Sequence, residues 1–386
     1  MVGPTIEADL FTLLTRFRSH AYALTADIKK MYRQVLVHPD DAVYQKILFR
    51  EDPNDSLKEF SLDTVTYGTS CAPFLAIRAL SQLAEDEGAK HPIASNVLKK
   101  DFHVDDLLIG VKTHAEAKFL RDDITALLQK GGFPLRKWAS NDSLLVPENS
   151  DNSTSTHMSL DPNATIKTLG IHLNSLPDSI FYQINLSEFS NVVTKRSILS
   201  QVAKLFDPLG LLGPVIVKAK ILIQVLWKAG VGWDSPIPME VLTMWTQFKK
   251  QLPLLGEVNF NRLIIAPDTS EIEIHGFSDA SEKAYGACIY LRSMDSQGIH
   301  HISLVCSKSR VAPVNPVTLP RLELSAALLL DRLYAAVKQA LEVQINQTYL
   351  WSDSTITLSW VNTEPHLLKT FAANRVAEIK KTRYLL

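Results

Sequence analysis

The chain has 386 residues and a formal net charge of −1, with 46% hydrophobic and 21% charged residues. This length has room for two or three domains, and the composition is typical of globular rather than disordered chains. The near-zero charge argues against a uniformly basic nucleic-acid-binding surface, and no apolar run is long enough to span a bilayer. Because they are odd in number and widely separated, the cysteines predict reduced core thiols in an intracellular protein: Cys71, Cys288 and Cys306.

The first segment with chemical interest is YALTADIKKMYRQVLV, residues 22–37. Its apolar start predicts a strand that ends near Asp27, and the residues after Asp27 can turn into a helix. An acid at a strand end can bind a metal ion if other acids come close to it in the fold. Asp27 is therefore a candidate ligand that needs partners elsewhere in the chain.

The partners predicted for Asp27 are the adjacent acids of FHVDDLLIG, residues 102–110. Two ionised carboxylates in an apolar run cost free energy, because each loses hydration and the two repel each other. Asp105 and Asp106 can form the solvent-facing turn of a β-hairpin, since aspartate is a common turn residue. Alternatively, a divalent cation neutralises both charges. This segment alone leaves the two interpretations open.

Residues 113–131 carry the signals of a helix that follows the hairpin. Thr113 and Glu116 predict a capping box, and Gly131 predicts the C-terminal end. The side chains predicted to share its buried face are Leu120, Ile124, Leu127 and Leu128. Residues 138–163 are rich in Ser, Asn, Asp, Thr and Pro, which predicts an exposed loop or linker between two regions.

Residues 194–230 predict two helices separated by FDPLGLLGP. Asp207, Pro208 and Gly210 predict a turn, and Pro214 is predicted at the first position of the second helix. Residues 191–250 contain eight basic and three acidic residues, and residues 366–386 contain five basic and one acidic residue. Each basic stretch predicts either a solvated helix face or a groove for a nucleic-acid backbone.

A second set of acids lies in the last third of the chain. Asp279 lies on a strand that begins near Ile272. Glu323 lies early in a helix opened by Pro320, where it could also interact with the helix dipole. Asp353 ends a strand and precedes a helix, where it could also be an N-cap. Acids on a first strand, on the helix after a third strand and at the end of a fourth strand resemble those of the RNase H fold, in which they would converge on metal.

Five segments occur in the order of the palm motifs of reverse transcriptases: ADIKKMYRQ, YGTSCAPFLAIRAL, FHVDDLLIG, GGFPLRKWASN and TLGIHL. They resemble BEL/Pao-type retrotransposon Pol polyproteins. TKRSILSQVAKLFDPLGLLGPV followed by WDSPIP resembles the connecting region of that family, so the resemblance covers essentially the whole chain. It implies an α/β (α+β) fold with a reverse-transcriptase palm, a hairpin-borne aspartate pair, a helical connection and a truncated RNase H-like mixed α/β domain.

The resemblance also implies roles for individual residues. The metal ligands that it implies in the palm are Asp27, Asp105, Asp106 and the backbone carbonyl of Ile28. The nucleotide pocket that it implies consists of Tyr32, Tyr67, Gly68 and Lys137. Tyr32 would pack under the incoming sugar and exclude a 2′-hydroxyl, and Lys137 would lie near the triphosphate, although these types also fit a core aromatic and a surface charge. His103 departs from the family, which usually has Tyr there.

The family implies an RNA-directed DNA polymerase that uses Mg²⁺, or Mn²⁺ in its place, to add deoxynucleoside triphosphates to a DNA primer on an RNA template. Its RNase H-like region would hydrolyse the RNA strand of an RNA–DNA hybrid. Most of the family's fingers subdomain and its fourth RNase H acid have no counterpart here, so we expect a fragment. A non-catalytic nucleic-acid-binding remnant is the alternative. A cellular repair nuclease is a third interpretation, and it leaves the first three aspartates unexplained.

The predicted domains are a palm at residues 1–140, a linker with the end of the palm at 141–190, a helical thumb or connection at 191–265 and a truncated RNase H-like domain at 266–386. The protease and integrase segments of the same polyprotein are further partners that the resemblance implies. The expected location is the cytoplasm, in a virus-like particle and without membrane contact.

Overall fold

The structure, a computed structural model, describes residues 2–146, 165–168, 171–174, 177–184, 192–269 and 271–383. The chain divides into two compact units, the first within residues 1–13 and 20–164 and the second within residues 14–19 and 165–386. The predicted boundaries near residues 190 and 265 fall inside the second unit, and the four-domain scheme stays a prediction. Most of the predicted linker, residues 147–163, lies outside the described residues.

A four-stranded antiparallel sheet in the order β4-β5-β1-β6 organises the first unit. The strands of this unit are β1 (Tyr22–Ile28), β2 (Lys46–Phe49), β3 (Lys58–Ser61), β4 (Phe102–His103), β5 (Asp106–Val111) and β6 (Leu135–Ser140). Strand β1 is paired on both sides and is therefore almost entirely buried. The predicted loop at residues 138–163 is wrong at its start, because Trp138 and Ala139 belong to β6 and are buried in the core.

Three helices, at residues 72–86, 92–100 and 114–130, share a hydrophobic core with one face of this sheet. The helices that begin in residues 10–130 are α1 (Leu10–Phe17), α2 (Pro39–Ala42), α3 (Ala72–Asp86), α4 (Pro92–Lys100) and α5 (His114–Lys130). The predicted helix after the hairpin is confirmed as α5, with the Thr113–Glu116 capping box and Gly131 as its C-cap. Its leucines Leu127 and Leu128 are fully buried, and each contributes roughly 1.5–3 kcal/mol of hydrophobic free energy.

The second unit contains two sheets. Its strands are β7 (Thr165–Thr168), β8 (Ile171–Asn174), β9 (Ser179–Phe181), β10 (Asn259–Asn261), β11 (Glu271–Ala280), β12 (Ala284–Met294), β13 (His300–Val311) and β14 (Gln347–Trp351). The orders are β10-β9-β8-β7 and β13-β12-β11-β14, and β14 is parallel to β11. A Cβ at Gly276 in β11 would lie 2.6 Å from Leu330 and 2.8 Å from Leu350, so the glycine allows the helix after β13 to pack closely on the sheet.

The helices of the second unit are α6 (Lys195–Ala203), α7 (Gly213–Lys228), α8 (Met239–Gln251), α9 (Leu319–Ala340), α10 (Thr355–Asn362) and α11 (Thr370–Arg383). The predicted pair of helices is confirmed as α6 and α7. In the turn between them, Asp207 accepts hydrogen bonds from the amides of Leu211 (2.9 Å) and Leu212 (2.8 Å). Pro214 occupies the second position of α7 rather than the predicted first, because Gly213 opens the helix.

Two predictions about the chain as a whole have different outcomes. Among the described residues, no helix combines the length and apolarity needed to cross a membrane. The three cysteines are all free thiols, but only Cys306 is buried. The prediction of core thiols is wrong for Cys71, which precedes α3, and for Cys288 on β12, because both are partly exposed.

Candidate metal centres

The adjacent acids of the first unit lie at the turn of a β-hairpin. Val104 and Asp105 join β4 to β5, and His103 is in register with Asp106. Val104 has a φ of 55°, a left-handed conformation that is strained for a β-branched residue. Its amide donates to Glu7 Oε2 at 3.1 Å, which helps to hold the turn. The turn interpretation and the cation interpretation are therefore compatible, because this turn presents both acids beside another strand.

Strand β1 is that neighbouring strand. Asp27 is in antiparallel register with Asp106, and the Ile28 amide donates to the carbonyl of Asp105 at 2.9 Å. Side chains directly opposite in such a pair leave the same face of the sheet, with Cβ atoms about 5 Å apart. Burial, followed by the charges of Asp105 and Asp27, raises the pKa of Asp106 to about 6. Burial also raises the pKa of Asp105, and the charge of Asp27 adds to that effect.

Arg136 and Lys137 both bind the carboxylate of Asp27. Neighbouring strand residues normally point to opposite faces, but the β1–β6 register shifts between Thr25 and Asp27, and Lys137 has a φ of 54°. These features mark a β-bulge in β6, which brings both cations to one side. Arg136 Nε donates to Asp27 Oδ1 at 2.6 Å, and Lys137 Nζ donates to Oδ2 at 3.0 Å. The sequence analysis missed Arg136, for which the adjacent basic pair in LRKW was the available signal.

The residues predicted to line a nucleotide pocket lie in the same unit. Tyr32 and Tyr67 form an edge-to-face pair with ring centroids 5.2 Å apart. Tyr67 is 53% exposed and is therefore not a core aromatic. Gly68 has a φ of 82°, and a Cβ added there would meet no atom within 4 Å, so its backbone conformation is the reason for glycine. The roles of these residues and of Lys137 in nucleotide binding stay predictions.

The three acids of the second unit converge. One carboxylate oxygen from each of Asp279, Glu323 and Asp353 lies within 4.8 Å of the other two. Asp279 lies near the end of β11, Glu323 in α9 and Asp353 just after β14, which is the predicted chain order. Across the described ranges, this is the one group of three His, Cys, Asp or Glu side chains that meets this distance. Asp27, Asp105 and Asp106 do not meet it.

The second group fits a hard divalent cation. Its ligand atoms are all carboxylate oxygens, which Mg²⁺ and Mn²⁺ prefer. Glu323 is 8% exposed, and its Oε2 has no hydrogen-bond partner within the part of the chain that the structure describes. Burial, followed by the charges of Asp279 and Asp353, raises the pKa of Glu323. The alternative of Asp353 as an N-cap is wrong, because Ser354 caps α10 and its Oγ accepts from the Thr357 amide at 3.3 Å.

An open cavity of about 780 Å³ lies beside Asp279 and Asp353. Phe277 and Trp351 line it, are in parallel register and have ring centroids 6.4 Å apart. Phe277 lies two residues before Asp279 in β11, so this ring and this acid project from the same face of the sheet. Trp351 is the last residue of β14, and Asp353 follows the strand. Pro214 of α7 also lines the cavity. The sequence analysis missed these aromatics, whose signal was the shared pattern of aromatic, Ser and Asp in FSD and WSD.

The prediction of a nucleic-acid-binding groove at residues 191–250 is wrong for Lys195, because this side chain is buried. Lys195 is 7% exposed, its Nζ lies 3.8 Å from the ring centroid of Trp227, and it donates to the carbonyl of Val231. Arg196 forms two hydrogen bonds with Asp234, at 2.8 and 2.9 Å. Both cations are therefore engaged within the unit. Lys218 and Lys220 of α7 are exposed. The prediction that this part of the stretch binds a nucleic-acid backbone therefore stays a prediction.

Residues 194–354 match the protein family described as "Pao retrotransposon-like RNaseH-like domain". The matched segment contains Asp279, Glu323 and Asp353, and it also contains α6, α7 and α8, which the sequence analysis assigned to a thumb or connection. No curated protein matches the sequence. The predicted retrotransposon resemblance is therefore confirmed for an RNase H-like domain in this segment, while the resemblance of residues 1–193 to a polymerase stays a prediction.

Solved structures with a similar fold come from the foamy viral protease-reverse transcriptase. Its complex with an RNA/DNA hybrid shares 15% identity and a TM-score of 0.58, over 98% of this chain and 45% of that chain. A dRH form with double-stranded DNA shares 15% identity and a TM-score of 0.57, over 99% and 58%. This chain thus spans about half of each of these two proteins. At this identity the likeness shows the fold alone, a mixed α/β fold similar to a retroviral reverse transcriptase with RNase H.

Replacement of Asp106 by asparagine should stabilise the metal-free protein in a pH-dependent way. Folding raises the pKa of Asp106 from 3.8 to about 6, so between these values the folded protein holds a proton that the unfolded chain has lost. The free energy of unfolding of the unmodified protein therefore falls as the pH rises through this window. We expect the stability advantage of Asp106→Asn, measured by urea denaturation in EDTA, to grow from about pH 4.5 to about pH 6.5.

Asp55→Asn is the matched control, because Asp55 is exposed in a loop of the same unit. This variant should show no comparable trend with pH. An Asp106→Asn advantage that is absent, or that is constant across the window, would contradict the crowding of the three aspartates.

Proposed function

We propose that the second unit hydrolyses the RNA strand of RNA–DNA hybrids with Mg²⁺, or with Mn²⁺ in its place. The observation that carries this proposal is the convergence of Asp279, Glu323 and Asp353 inside the segment that matches an RNase H-like family. The nearly buried Glu323 oxygen without a partner adds support, because a cation would satisfy it. The foamy viral enzyme, whose fold is similar, has been solved with an RNA/DNA hybrid.

The residues of this site have separate tasks in the proposed reaction. A bound divalent cation would supply Lewis acidity for the attack of water on a phosphodiester and would stabilise the charge that develops. Asp279 would hold it from β11, Asp353 from the residues just after β14, and Glu323 from α9. The pairing of β14 with β11 and the packing of α9 on the sheet bring these ligands together. The open cavity beside Phe277 and Trp351 gives a nucleic-acid strand access.

Recognition in this proposal depends on the backbone and the shape of the duplex. Hydrolysis of any copied sequence requires contacts that do not read base edges. Exposed lysines on α7, which also lines the cavity at Pro214, are suited to phosphate contacts. The proposed partners of the chain are therefore RNA–DNA hybrids. Protease and integrase segments of the same polyprotein, and a particle in the cytoplasm, belong to the same proposal.

A second proposed activity is RNA-directed DNA synthesis by the first unit. Its support is the register that sets Asp27 opposite Asp106, with the Asp105 carbonyl bound by the Ile28 amide. The Tyr32–Tyr67 pair would shape the pocket for a deoxynucleoside triphosphate. Asp27 is bound by Arg136 and Lys137, so a cation at this site would have to replace at least one of them. The alternative is a nucleic-acid-binding remnant without catalysis in this unit.

Loss of one acid should abolish hydrolysis. Asp353→Asn and Glu323→Gln are each expected to reduce Mg²⁺- or Mn²⁺-dependent cleavage of a labelled RNA strand in a hybrid by more than about 100-fold, beyond the loss typical of residues that only orient a ligand. Gel analysis of the products measures the rate. Glu282→Gln, an exposed acid in the turn after β11, should keep the activity. Equal cleavage by all variants, or none by the unmodified chain, would refute the proposal.

Primer extension tests the first unit independently. With an oligo(dT) primer on poly(rA) and Mg²⁺ or Mn²⁺, the unmodified chain should extend the primer, and Asp105→Asn should not, because it removes a ligand charge. Asp55→Asn should extend it normally. Hybrid cleavage without extension by the unmodified chain would favour the non-catalytic alternative for the first unit and leave the hydrolytic proposal intact.

Charge reversal on α7 should weaken binding of the hybrid. Each of Lys218→Glu and Lys220→Glu is expected to make the logarithmic salt dependence of the affinity less steep by about one unit, because one phosphate contact is lost. Fluorescence anisotropy with Ca²⁺ in place of Mg²⁺ measures the affinity. Lys338→Glu, an exposed lysine on α9, is the matched control. A slope equal to that of the control would remove α7 from the proposed hybrid surface.

A further inference from the structure

A second cavity, of about 230 Å³, lies in the same unit as the three acids. Its walls come from the paired ends of β12 and β13 and from helices α9 and α11. The polar side chains that line it are Arg310, Arg332, Arg375, Asn374, Ser325 and Tyr285. Glu378 also lines it, and its floor is Leu328 and Leu329. Three guanidinium groups around one small cavity are unusual, because like charges repel in a partly buried setting.

Only one of the three arginines has a carboxylate partner among the described residues. Glu378 binds Arg332 through two hydrogen bonds, at 2.6 and 2.9 Å. Neither Arg310 nor Arg375 has an ion pair within the described ranges. The cavity therefore keeps an excess of positive charge after Glu378 is counted. This charge favours an anion as the ligand of the cavity.

Arg375 is held in place but incompletely satisfied. Its guanidinium carbon lies 3.6 Å from the ring centroid of Phe371, and one of its terminal nitrogens donates to the Phe371 carbonyl at 3.0 Å. Its Nε is buried and has no hydrogen-bond partner in the described part of the chain. Burial, with a further contribution from the charge of Arg332, lowers the pKa of Arg375. An anion in the cavity would offset the repulsion between the two guanidinium groups.

We propose that this cavity binds a backbone phosphate of the nucleic acid that is cleaved at Asp279, Glu323 and Asp353. Guanidinium forks bind phosphate oxygens in a bidentate way, and the cavity has room for one phosphate group. Tyr285 connects the two places, because it lines both this cavity and the cavity beside the acids. In the β11–β12 ladder Tyr285 is opposite Ala280, the residue after Asp279. The two cavities therefore share a lining residue at the start of β12.

The proposal assigns a role to Arg375, a residue of the basic stretch at 366–386. The sequence alone left residues 366–386 as either a solvated face or a backbone-binding groove. Lys380 is 19% exposed and binds the exposed Glu364 at 2.7 Å, so it is paired within the unit. Arg375 instead faces the cavity from the same helix. The inference rests on the proposed hydrolysis, since it names where a second phosphate of that substrate is held.

Salt-dependent binding tests the site. The chain carrying Asp353→Asn is expected to bind hybrid without cleaving it, and Arg310→Gln and Arg375→Gln are added to it one at a time. Each is expected to make the logarithmic salt dependence less steep by about one unit, whereas Lys338→Gln should leave it unchanged. Arg310 is exposed, so its replacement leaves the packing intact even if Arg375→Gln perturbs folding. Slopes equal to that of Lys338→Gln for both arginine variants would overturn the inference and leave the hydrolytic proposal standing.

Inorganic phosphate tests anion binding in the cavity independently of the hydrolytic reaction. Phosphate should raise the melting temperature of the unmodified chain more than chloride does at equal ionic strength, and Arg310→Gln should remove the difference. If hybrid binding is lost altogether, the phosphate-dependent rise in melting temperature still tests the anion site. The absence of this rise in the unmodified chain would overturn the proposed anion site. A phosphate shift together with unchanged hybrid slopes would assign the cavity to free phosphate and overturn the backbone assignment.

Discussion

Repulsion between carboxylates that β-sheet register holds together is the constraint on which both candidate centres depend. The β1–β5 ladder sets Asp27 opposite Asp106, and the hairpin turn adds Asp105 beside them. In the second unit, β11 and β14 run parallel, Asp279 lies near the end of β11, Asp353 lies just after β14, and α9 brings Glu323 to them. Backbone hydrogen bonds and core packing fix these separations. The repulsion is relieved either by protonation, which the raised pKa values of Asp105, Asp106 and Glu323 reflect, or by a cation.

The two units meet this requirement differently. In the first unit the chain supplies its own cations, because a β-bulge turns Arg136 and Lys137 onto Asp27. In the second unit no basic side chain is hydrogen-bonded to the three acids among the described residues, and an oxygen of Glu323 is left without a partner. The second centre is therefore the better prepared for a metal ion. The first centre requires an exchange of ligands around Asp27 before a metal can share all three of its aspartates.

The surroundings of the second centre follow from the period of a strand. Alternate residues of β11 share a face, so Phe277 accompanies Asp279, and Trp351 of β14 is in register with Phe277. Tyr285, at the start of β12, lines both the acidic cavity and the arginine cavity. Negative ligands for a metal and positive groups for a phosphate thus lie at neighbouring positions of one ladder. This is the separation of charge that a phosphodiester substrate with a bound cation requires.

Local signals in the sequence determined several helices and turns, and they also indicated the elements that carry the three acids of the second unit. The capping box at Thr113, the turn at Asp207 and the order of Asp279, Glu323 and Asp353 depend on neighbours within a few residues or on strand and helix periods, which are readable in one dimension. Tertiary structure alone decided which charges meet. Arg136 reaches Asp27 because of a bulge, Lys195 is buried against Trp227 rather than exposed, and Arg310 and Arg375 share a cavity although they lie far apart in the chain. Charge in a sequence is only a count, whereas pairing and burial depend on distances that the packed chain creates.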